Sequence, residues 1–265
     1  MIDIGANLAG KSFSADLPEV LARARQHSVE QIIVTGSDLE SSQRAIDLSN
    51  KHPGLLYATA GIHPHTASEF SDATAGTLEQ MLARDCVVAI GETGLDFNRN
   101  YSSQAAQTRS FEAHLELAES IDKPLFLHER DAFTAFYACM QKHPALCKRA
   151  VVHCFTGNRQ ALHAYLELGM HIGITGWICD KKRGRRLRTI VRDIPLERFM
   201  IETDAPYLIP NKEQLAPLLA KPHRNEPWTL QYTLAQLAEA IDFDVELLGE
   251  KTTANTRKFF NLPTT

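Results

Sequence analysis

The sequence predicts an α/β protein, built as a single (β/α)8 TIM barrel that forms one domain over residues 1–265. Three observations support this fold class. A length of 265 residues is ordinary for one such barrel. Short apolar runs alternate eight times with segments of helical periodicity, as expected when parallel strands are joined by helices. The sequence also lacks the glycine-rich phosphate loop that open doubly wound sheets often carry.

The predicted strands are short runs rich in apolar and β-branched residues, which is typical of parallel strands buried on both faces. They cover residues 2–7, 31–36, 56–62, 87–92, 124–128, 150–155, 171–177 and 199–203. The run 87–92 shows the pattern best, because four apolar residues lead to Gly91 and then to Glu92. A carboxylate at the end of a buried strand is costly to desolvate unless a cation or strong donors meet it.

Helices are predicted between the strands, where apolar residues recur with a period near 3.6. In the segment 103–121, for example, Phe111, Leu115 and Ala118 lie on one stripe. The other predicted helices cover residues 17–27, 40–51, 75–84, 132–142, 159–168, 184–193, 229–240 and 253–260. The last of them carries Phe259 and Phe260 and is expected to cover the outside of the barrel.

Composition limits the class of protein. The chain is 44% hydrophobic and 23% charged, which is typical of a soluble globular protein and indicates neither disorder nor a membrane protein. No signal peptide is expected, and the five cysteines lack a CxxC spacing, so a cytoplasmic protein with reduced thiols is predicted. We expect a monomer. The net charge of −4 argues against extensive coating with nucleic acid but permits a local basic groove.

Four ionisable side chains come at the ends of predicted strands: Glu92, His128, His153 and Asp204. Active sites of (β/α)8 barrels lie at the carboxyl ends of the strands, so these groups are the first candidates for catalysis. Two imidazoles and two carboxylates can hold a divalent ion and leave positions open for water or substrate. Asp204 could then take a proton from that water. Singly, each histidine could equally be a hydrogen-bonded structural residue.

Seven motifs resemble, in order, those of the TatD family of metal-dependent deoxyribonucleases, which belongs to the amidohydrolase superfamily. They are GIHPH (61–65), IGETGLDF (90–97), HER (128–130), HCFTG (153–157), GITGW (173–177), ETDAPYL (202–208) and RNEP (224–227). The resemblance implies a TIM-barrel hydrolase that cleaves phosphodiester bonds in DNA, with Glu92, His128, His153 and Asp204 as metal residues. It further implies a 3′ to 5′ exonuclease that uses Mg²⁺ and prefers single strands or 3′ ends, with RNA as a further substrate.

The first strand departs from the family pattern. Most members carry two metal-binding histidines there, whereas this chain has Gly5 and Asn7 at those positions. Glycine offers no ligand and Asn only a neutral oxygen, so the strand-one metal position is expected to be weak or absent. A site poorer in imidazole favours Mg²⁺, with Mn²⁺ or Zn²⁺ as alternatives.

Phosphate contacts are predicted on the same face. Lys181 and Lys182 begin a run that holds six cations between residues 181 and 188, after the seventh strand, where barrels often bind phosphate. A solvated helix face is the alternative for this run. Trp177, at the end of that strand, could stack a base or pack in the core.

Three more residues are candidates for substrate binding. His63 and His65 follow the third strand and are interpreted as phosphate or leaving-group contacts rather than metal ligands, with a structural histidine as the alternative. Arg224, in the RNEP motif, could bind phosphate through its guanidinium fork. Glu202 lies two residues before Asp204 and could orient a histidine ligand from behind.

The predicted reaction is hydrolysis of a phosphodiester by an activated water, with Glu92 and Asp204 as the catalytic residues. Two other functions remain open on the sequence alone. The same residues could serve a hydrolase of an ester, amide or lactone. The loss of both histidines from strand one also permits a barrel that binds nucleic acid without cleaving it.

Overall fold

The computed structural model describes residues 1–221 and 223–264. Within these residues the sheet runs in chain order and every neighbouring pair of strands is parallel. The strands are β1 (Ile2–Ala6), β2 (Gln31–Val34), β3 (Leu56–Ala60), β4 (Val87–Asp96), β5 (Leu125–Arg130), β6 (Ala150–Val152), β7 (His171–Ile174) and β8 (Phe199–Ile201). The predicted (β/α)8 barrel is therefore confirmed.

Helices connect the strands. They are α1 (Leu17–Gln26), α2 (Leu39–Lys51), α3 (Asp72–Leu82), α4 (Gln104–Ser120), α5 (Phe133–Gln141), α6 (Pro144–Cys147), α7 (Arg159–Glu167), α8 (Arg185–Ile190), α9 (Lys212–Leu215), α10 (Leu230–Ile241) and α11 (Val245–Phe260). Short 3₁₀ segments cover Pro64–Glu69, Gly176–Cys179, Val191–Asp193, Leu196–Arg198 and Pro227–Thr229. In the part of the chain described, no helix has the length and apolar character needed to cross a bilayer.

The barrel closes between β1 and the segment after β8. Asn7 N donates to Ala205 O at 2.7 Å, next to a parallel bridge between Ala6 and Ala205. The buried carboxylate of Asp3 accepts from Thr203 N at 2.9 Å and from Thr203 Oγ1 at 2.5 Å. These bonds bring the carboxyl end of β1 beside that of β8.

The apolar core has two main parts. One fills the layer between the sheet and the surrounding helices. The other joins residues from six strands, β1, β2, β4, β5, β6 and β8, and so lies inside the barrel. Phe260 and Leu262 belong to this inner cluster and Phe259 packs against it. The last helix, predicted to cover the outside of the barrel, packs against β8 and β1 and also reaches the inner cluster through Phe260.

Strand lengths differ from the prediction around the site. β4 continues past Glu92 because its residues Thr93 to Asp96 pair with Leu127 to Arg130 of β5. The Gly91–Glu92 peptide bond is cis. β6 and β7 end earlier than predicted, and their continuations form the loops that carry His153 and Trp177.

Candidate active site

The side chains at the carboxyl ends of β3 to β6 converge on one oxygen, Glu92 Oε1. His153 Nε2 lies 2.8 Å from it and His128 Nδ1 lies 3.0 Å from it. His63 follows β3, and its Nε2 lies 3.3 Å from Glu92 Oε1. The closed parallel barrel makes this possible, because it brings neighbouring strand ends to one rim.

The spacing of these groups can hold a metal ion. Ligand atoms of His63, Glu92 and His128 all lie within 4.8 Å of one another. His153 Nε2 adds a further nitrogen beside the same carboxylate oxygen. Imidazole and carboxylate donors directed at one point suit a divalent ion. The donor set therefore fits a metal centre.

Two of the imidazoles have a carboxylate behind them. Asp96 Oδ2 lies 3.6 Å from His128 Nε2, and Glu202 Oε2 lies 3.3 Å from His153 Nδ1. Histidines that bind metals usually donate their other N–H to such an acceptor, which fixes the tautomer and the ring orientation. In the metal-free structure His128 Nδ1 and His153 Nε2 donate to the Glu92 carboxylate. With an ion bound, Asp96 and Glu202 would hold the ring protons on the far nitrogens and leave these two nitrogens free to ligate.

Glu202 is held in a space that two glycines provide. Its Oε1 accepts from Cys154 N at 2.5 Å. A Cβ added to Gly5 would lie 2.6 Å from Glu202 Oε2, and one added to Gly173 would lie 2.7 Å from Oε1. The Glu202 carboxylate therefore occupies interior space next to Gly5 of β1 and Gly173 of β7.

Opposite charges stabilise the ionised carboxylate at the centre of the site. Burial alone would raise the pKa of Glu92, but His63 and His153 hold it well below the usual range. Burial likewise would lower the pKa of His128, yet the carboxylates of Asp96 and Glu92 raise it. The pKa of His153 is raised well above its usual value because Glu92 and Glu202 outweigh its burial.

Asp204 lies beside this cluster, and its pKa is shifted in the opposite direction from that of Glu92. Burial raises its pKa to about 7, and the carboxylates of Glu92 and Glu202 act in the same direction, against the neighbouring His153. Asn7 Nδ2 donates to Asp204 Oδ1 at 3.1 Å. The backbone φ of Asp204 is 51°. This left-handed conformation is unfavourable for residues other than glycine, and it changes the direction of the chain at the rim of the barrel.

A groove of about 550 Å³ opens beside the strand ends β7 and β8. It contains three of the predicted substrate contacts, Trp177, Lys181 and Lys182. The guanidinium of Arg183 lies 4.4 Å from the Trp177 ring centroid, and the exposed Tyr207 lines the opposite part of the groove. The basic run thus opens onto a cavity at its start rather than facing solvent along its whole length.

His65 belongs to a second carboxylate network. Its Nε2 lies 2.8 Å from Asp96 Oδ2, so one oxygen of Asp96 serves both His65 and His128. The other oxygen of Asp96 accepts from the backbone N of Asn98 and Arg99. Sequence reasoning missed Asp96, although its place in the GLDF part of a motif was a usable signal.

Arg224 has another environment than predicted. It is 5% exposed, and its two terminal nitrogens bind Asp16 at 2.6 and 2.7 Å and Glu226 at 2.7 Å. Arg23 binds the same Glu226 carboxylate. Arg224 also lowers the pKa of Asp16 to about 2. Because its charge is already matched by the buried Glu226 and the partly exposed Asp16, the geometry favours a structural role over a phosphate contact.

A closed parallel barrel with imidazoles and carboxylates gathered at its carboxyl rim defines the class of metal-dependent hydrolases. The model of the family described as TatD related DNase matches residues 2–261. The chain belongs to this family.

Similar proteins agree with that assignment. The chain is 46% identical to a protein of Edwardsiella piscicida named 3′-5′ ssDNA/RNA exonuclease TatD, over 99% of this chain and 100% of that protein. It is 45% identical to a protein of the same name from Pectobacterium carotovorum, with the same coverage. Among solved structures, the TatD homologue YJJV from Escherichia coli K12 is 30% identical and superposes with a TM-score of 0.89, covering 99% of this chain and 98% of that one.

Proposed function

We propose that this protein is a metal-dependent 3′ to 5′ exonuclease that hydrolyses single-stranded DNA, and also RNA, from the 3′ end. The observation that carries the proposal is the convergence of three imidazoles on Glu92 Oε1 beside the half-buried Asp204. Relatives named as exonucleases of this kind, which match over nearly the full length, support the choice of substrate.

We propose that Glu92, His128, His153 and Asp204 form the metal site and that Mg²⁺ is the resident ion. When bound, a divalent ion would polarise the scissile phosphate and lower the pKa of the attacking water. The strand-one position is proposed to be weak or absent, since Gly5 provides no ligand. Asn7 supports this assignment because its amide nitrogen donates to Asp204, so Asn7 faces the site as a donor.

The residues of the chain have distinct roles in the proposed reaction. Asp204 orients the attacking water and accepts its proton, a role that suits a carboxylate beside the metal site at the rim of the barrel. His63 and His65 contact the phosphate or the leaving group. Lys181 and Lys182 bind the backbone of the strand, and Trp177 stacks a base. Arg224 is left out of this set because the carboxylates of Asp16 and Glu226 already neutralise it.

The test is hydrolysis of single-stranded DNA labelled at its 3′ or its 5′ end, with Mg²⁺, Mn²⁺ and Zn²⁺ supplied in turn. Stepwise release of the 3′ label as a mononucleotide is expected. Glu92→Ala and Asp204→Asn should each abolish hydrolysis without loss of the fold, whereas Glu79→Ala, an exposed change on α3, should not. Full activity in either site variant, or hydrolysis of ester substrates in place of DNA, would refute the proposal.

We also propose that the chain is one domain over residues 1–265 and acts as a cytoplasmic monomer. The family match to residues 2–261 supports a single unit. The free thiols of Cys86, Cys139, Cys147, Cys154 and Cys179 are consistent with a reducing compartment. Light scattering of the purified protein at several concentrations measures the oligomeric state.

A further inference from the structure

His63 differs from its two neighbouring imidazoles in what its far nitrogen contacts. Its Nδ1 accepts a hydrogen bond from the backbone N of His65 at 3.1 Å. Its Nε2 faces Glu92 Oε1 at 3.3 Å. For His128 and His153 the far nitrogen faces a carboxylate instead, which is an acceptor.

The backbone contact determines where the proton of His63 lies. A ring nitrogen that accepts a hydrogen bond carries a lone pair, so the neutral ring must hold its proton on Nε2. Rotating the ring by half a turn would set a C–H against the His65 amide and deprive that donor of its acceptor. Protonation of both nitrogens conflicts with the same amide, because two donors would then face each other. His63 is therefore an imidazole whose Nε2–H points into the site.

Binding a metal through Nε2 requires the opposite tautomer. A ligating imidazole offers a lone pair to the ion and carries its proton on the far nitrogen, where an acceptor usually holds it. His153 has such an acceptor in Glu202 Oε2, 3.3 Å from its Nδ1. For His128 the nearest acceptor is Asp96 Oδ2, 3.6 Å from Nε2, which is too far for a hydrogen bond before an ion binds. The far nitrogen of His63 instead accepts a backbone hydrogen bond, although its distance from Glu92 and His128 would permit ligation.

We propose that His63 is a neutral hydrogen-bond donor to the scissile phosphate and not a metal ligand. Its Nε2–H, which in the free protein lies beside Glu92 Oε1 at an N···O distance of 3.3 Å, donates to a non-bridging phosphate oxygen of the substrate and stabilises the charge that develops there during hydrolysis. The backbone amide of His65 maintains the required tautomer. This assignment rests on the proposed function for its substrate, and on the geometry of the free protein for the tautomer.

Metal titration separates a donor from a ligand. We expect His63→Ala to bind Mn²⁺ within about threefold of the wild-type affinity, whereas His128→Ala should lose at least about tenfold, as changes at metal sites do. On single-stranded DNA the kcat of His63→Ala should fall about 100-fold or more, the usual cost of one lost transition-state donor. His52→Ala, at the surface end of α2, is the matched control and should change neither quantity.

Two replacements of similar size sharpen the comparison. The amide nitrogen of Gln can take the place of Nε2–H, whereas Glu offers only lone pairs and is the better metal ligand. His63→Gln should therefore retain more kcat than His63→Glu. The reverse order, or a loss of Mn²⁺ affinity in His63→Ala equal to that in His128→Ala, would overturn the assignment.

Nitrogen-15 NMR of the ring reports the tautomer without any turnover. We expect the proton of His63 on Nε2 in the metal-free protein and again after Cd²⁺ is added as a spectroscopic probe. Cadmium coupling to a His63 nitrogen would show that it is a ligand and would refute the inference. Failure of the wild-type protein to hydrolyse DNA would instead count against the proposed function, and the titration and the NMR would still decide whether His63 is a ligand.

Discussion

At the scale of single residues, Arg224 shows how a motif residue can be placed near a site without serving it. It binds Asp16 and the fully buried Glu226, and the pairing holds α1 against the 3₁₀ segment Pro227–Thr229. A buried charge that loses its partner is strongly destabilising, whereas a phosphate contact that is lost weakens substrate binding. The two roles therefore predict different measurements.

We expect Arg224→Gln to lower the free energy of unfolding by about 1.5–3 kcal/mol, because it removes charged hydrogen bonds and leaves Asp16 with Lys221 and Glu226 with Arg23 as their remaining cations. The KM for single-stranded DNA should stay unchanged at a temperature where the variant is folded. Urea unfolding and steady-state kinetics measure the two quantities. A raised KM with unaltered stability would restore Arg224 to the phosphate contacts.

His114 is a buried titratable side chain that bonds to the backbone next to His63. The imidazole is fully buried, its Nε2 accepts from Ile62 N at 3.1 Å, and its Nδ1 lies 2.6 Å from Ser110 O. Burial lowers its pKa from 6.5 to about 4. The unfolded chain therefore binds a proton at a pH where the folded protein does not, so stability is complete above about pH 6.5 and declines as the pH falls toward 4.

That shift corresponds to up to about 3 kcal/mol of unfolding free energy lost between pH 6.5 and pH 4. We expect urea unfolding to show that the wild-type protein loses stability relative to His114→Gln between pH 6.5 and pH 4, since Gln does not titrate. Other buried groups, such as Asp3, titrate in both proteins and cancel in this difference. His52→Gln is the control, because His52 lies at the less buried end of α2. Equal slopes for the wild-type protein and His114→Gln would contradict the assignment.

At the scale of elements, two glycines test how β1 serves the site. Gly5 lies inside the barrel, where an added Cβ would come 2.6 Å from Glu202 Oε2 and 3.0 Å from Phe126 Cζ. Gly76 lies in α3, where an added Cβ meets nothing within 4 Å among the residues described. The same substitution should therefore have opposite effects in the two elements.

We expect Gly5→Ala to lower the free energy of unfolding by about 1–3 kcal/mol through overpacking, and to lower Mn²⁺ affinity by displacing the carboxylate that holds His153. Gly76→Ala should raise stability by about 0.5–1 kcal/mol, because alanine is the better helix former. Thermal unfolding and metal titration measure both. Equal stability of Gly5→Ala and Gly76→Ala would contradict the tight packing that the structure shows around Gly5.

The barrel itself was predictable from the sequence, because each strand is an apolar run and each helix has its own period. Local pattern could not show that β4 continues beyond Glu92, since Gly94 is a poor strand former and the segment is held there by pairing with β5. Nor could it pair Arg224 with Asp16, which lies more than two hundred residues earlier. Glu92, His128 and His153 were predictable as a group. The motif around Asp96 could have marked it as a candidate, but its role depends on contacts with His65 and His128, which local pattern does not show.

At the scale of the whole molecule, the apolar side chains that stabilise the barrel and the ionisable groups of the site lie at different positions along the barrel axis. The interior cluster and the end of α11 fill one part with apolar side chains, and the opposite rim carries the ionisable groups. Two grooves open among the loops at that rim, one of about 550 Å³ beside Trp177 and one of about 690 Å³ beside Phe97 and Arg130. A strand of several nucleotides therefore has surface to contact beyond the metal centre.

The groove beside Trp177 gives a prediction about substrate length. Lys181 and Lys182 are exposed there, so their contribution should be electrostatic and specific to substrates long enough to reach them. We expect Lys181→Gln combined with Lys182→Gln to raise the KM for a long single strand about tenfold and to leave the KM for a dinucleotide unchanged. The slope of log KM against log salt concentration should fall by about 1.4, since each of the two phosphate contacts on a single strand contributes about 0.7 to that slope. Lys251→Gln, exposed on α11, is the control. An equal effect on the dinucleotide would place the lysines at the scissile phosphate instead, and no effect on either substrate would show that the strand does not follow this groove.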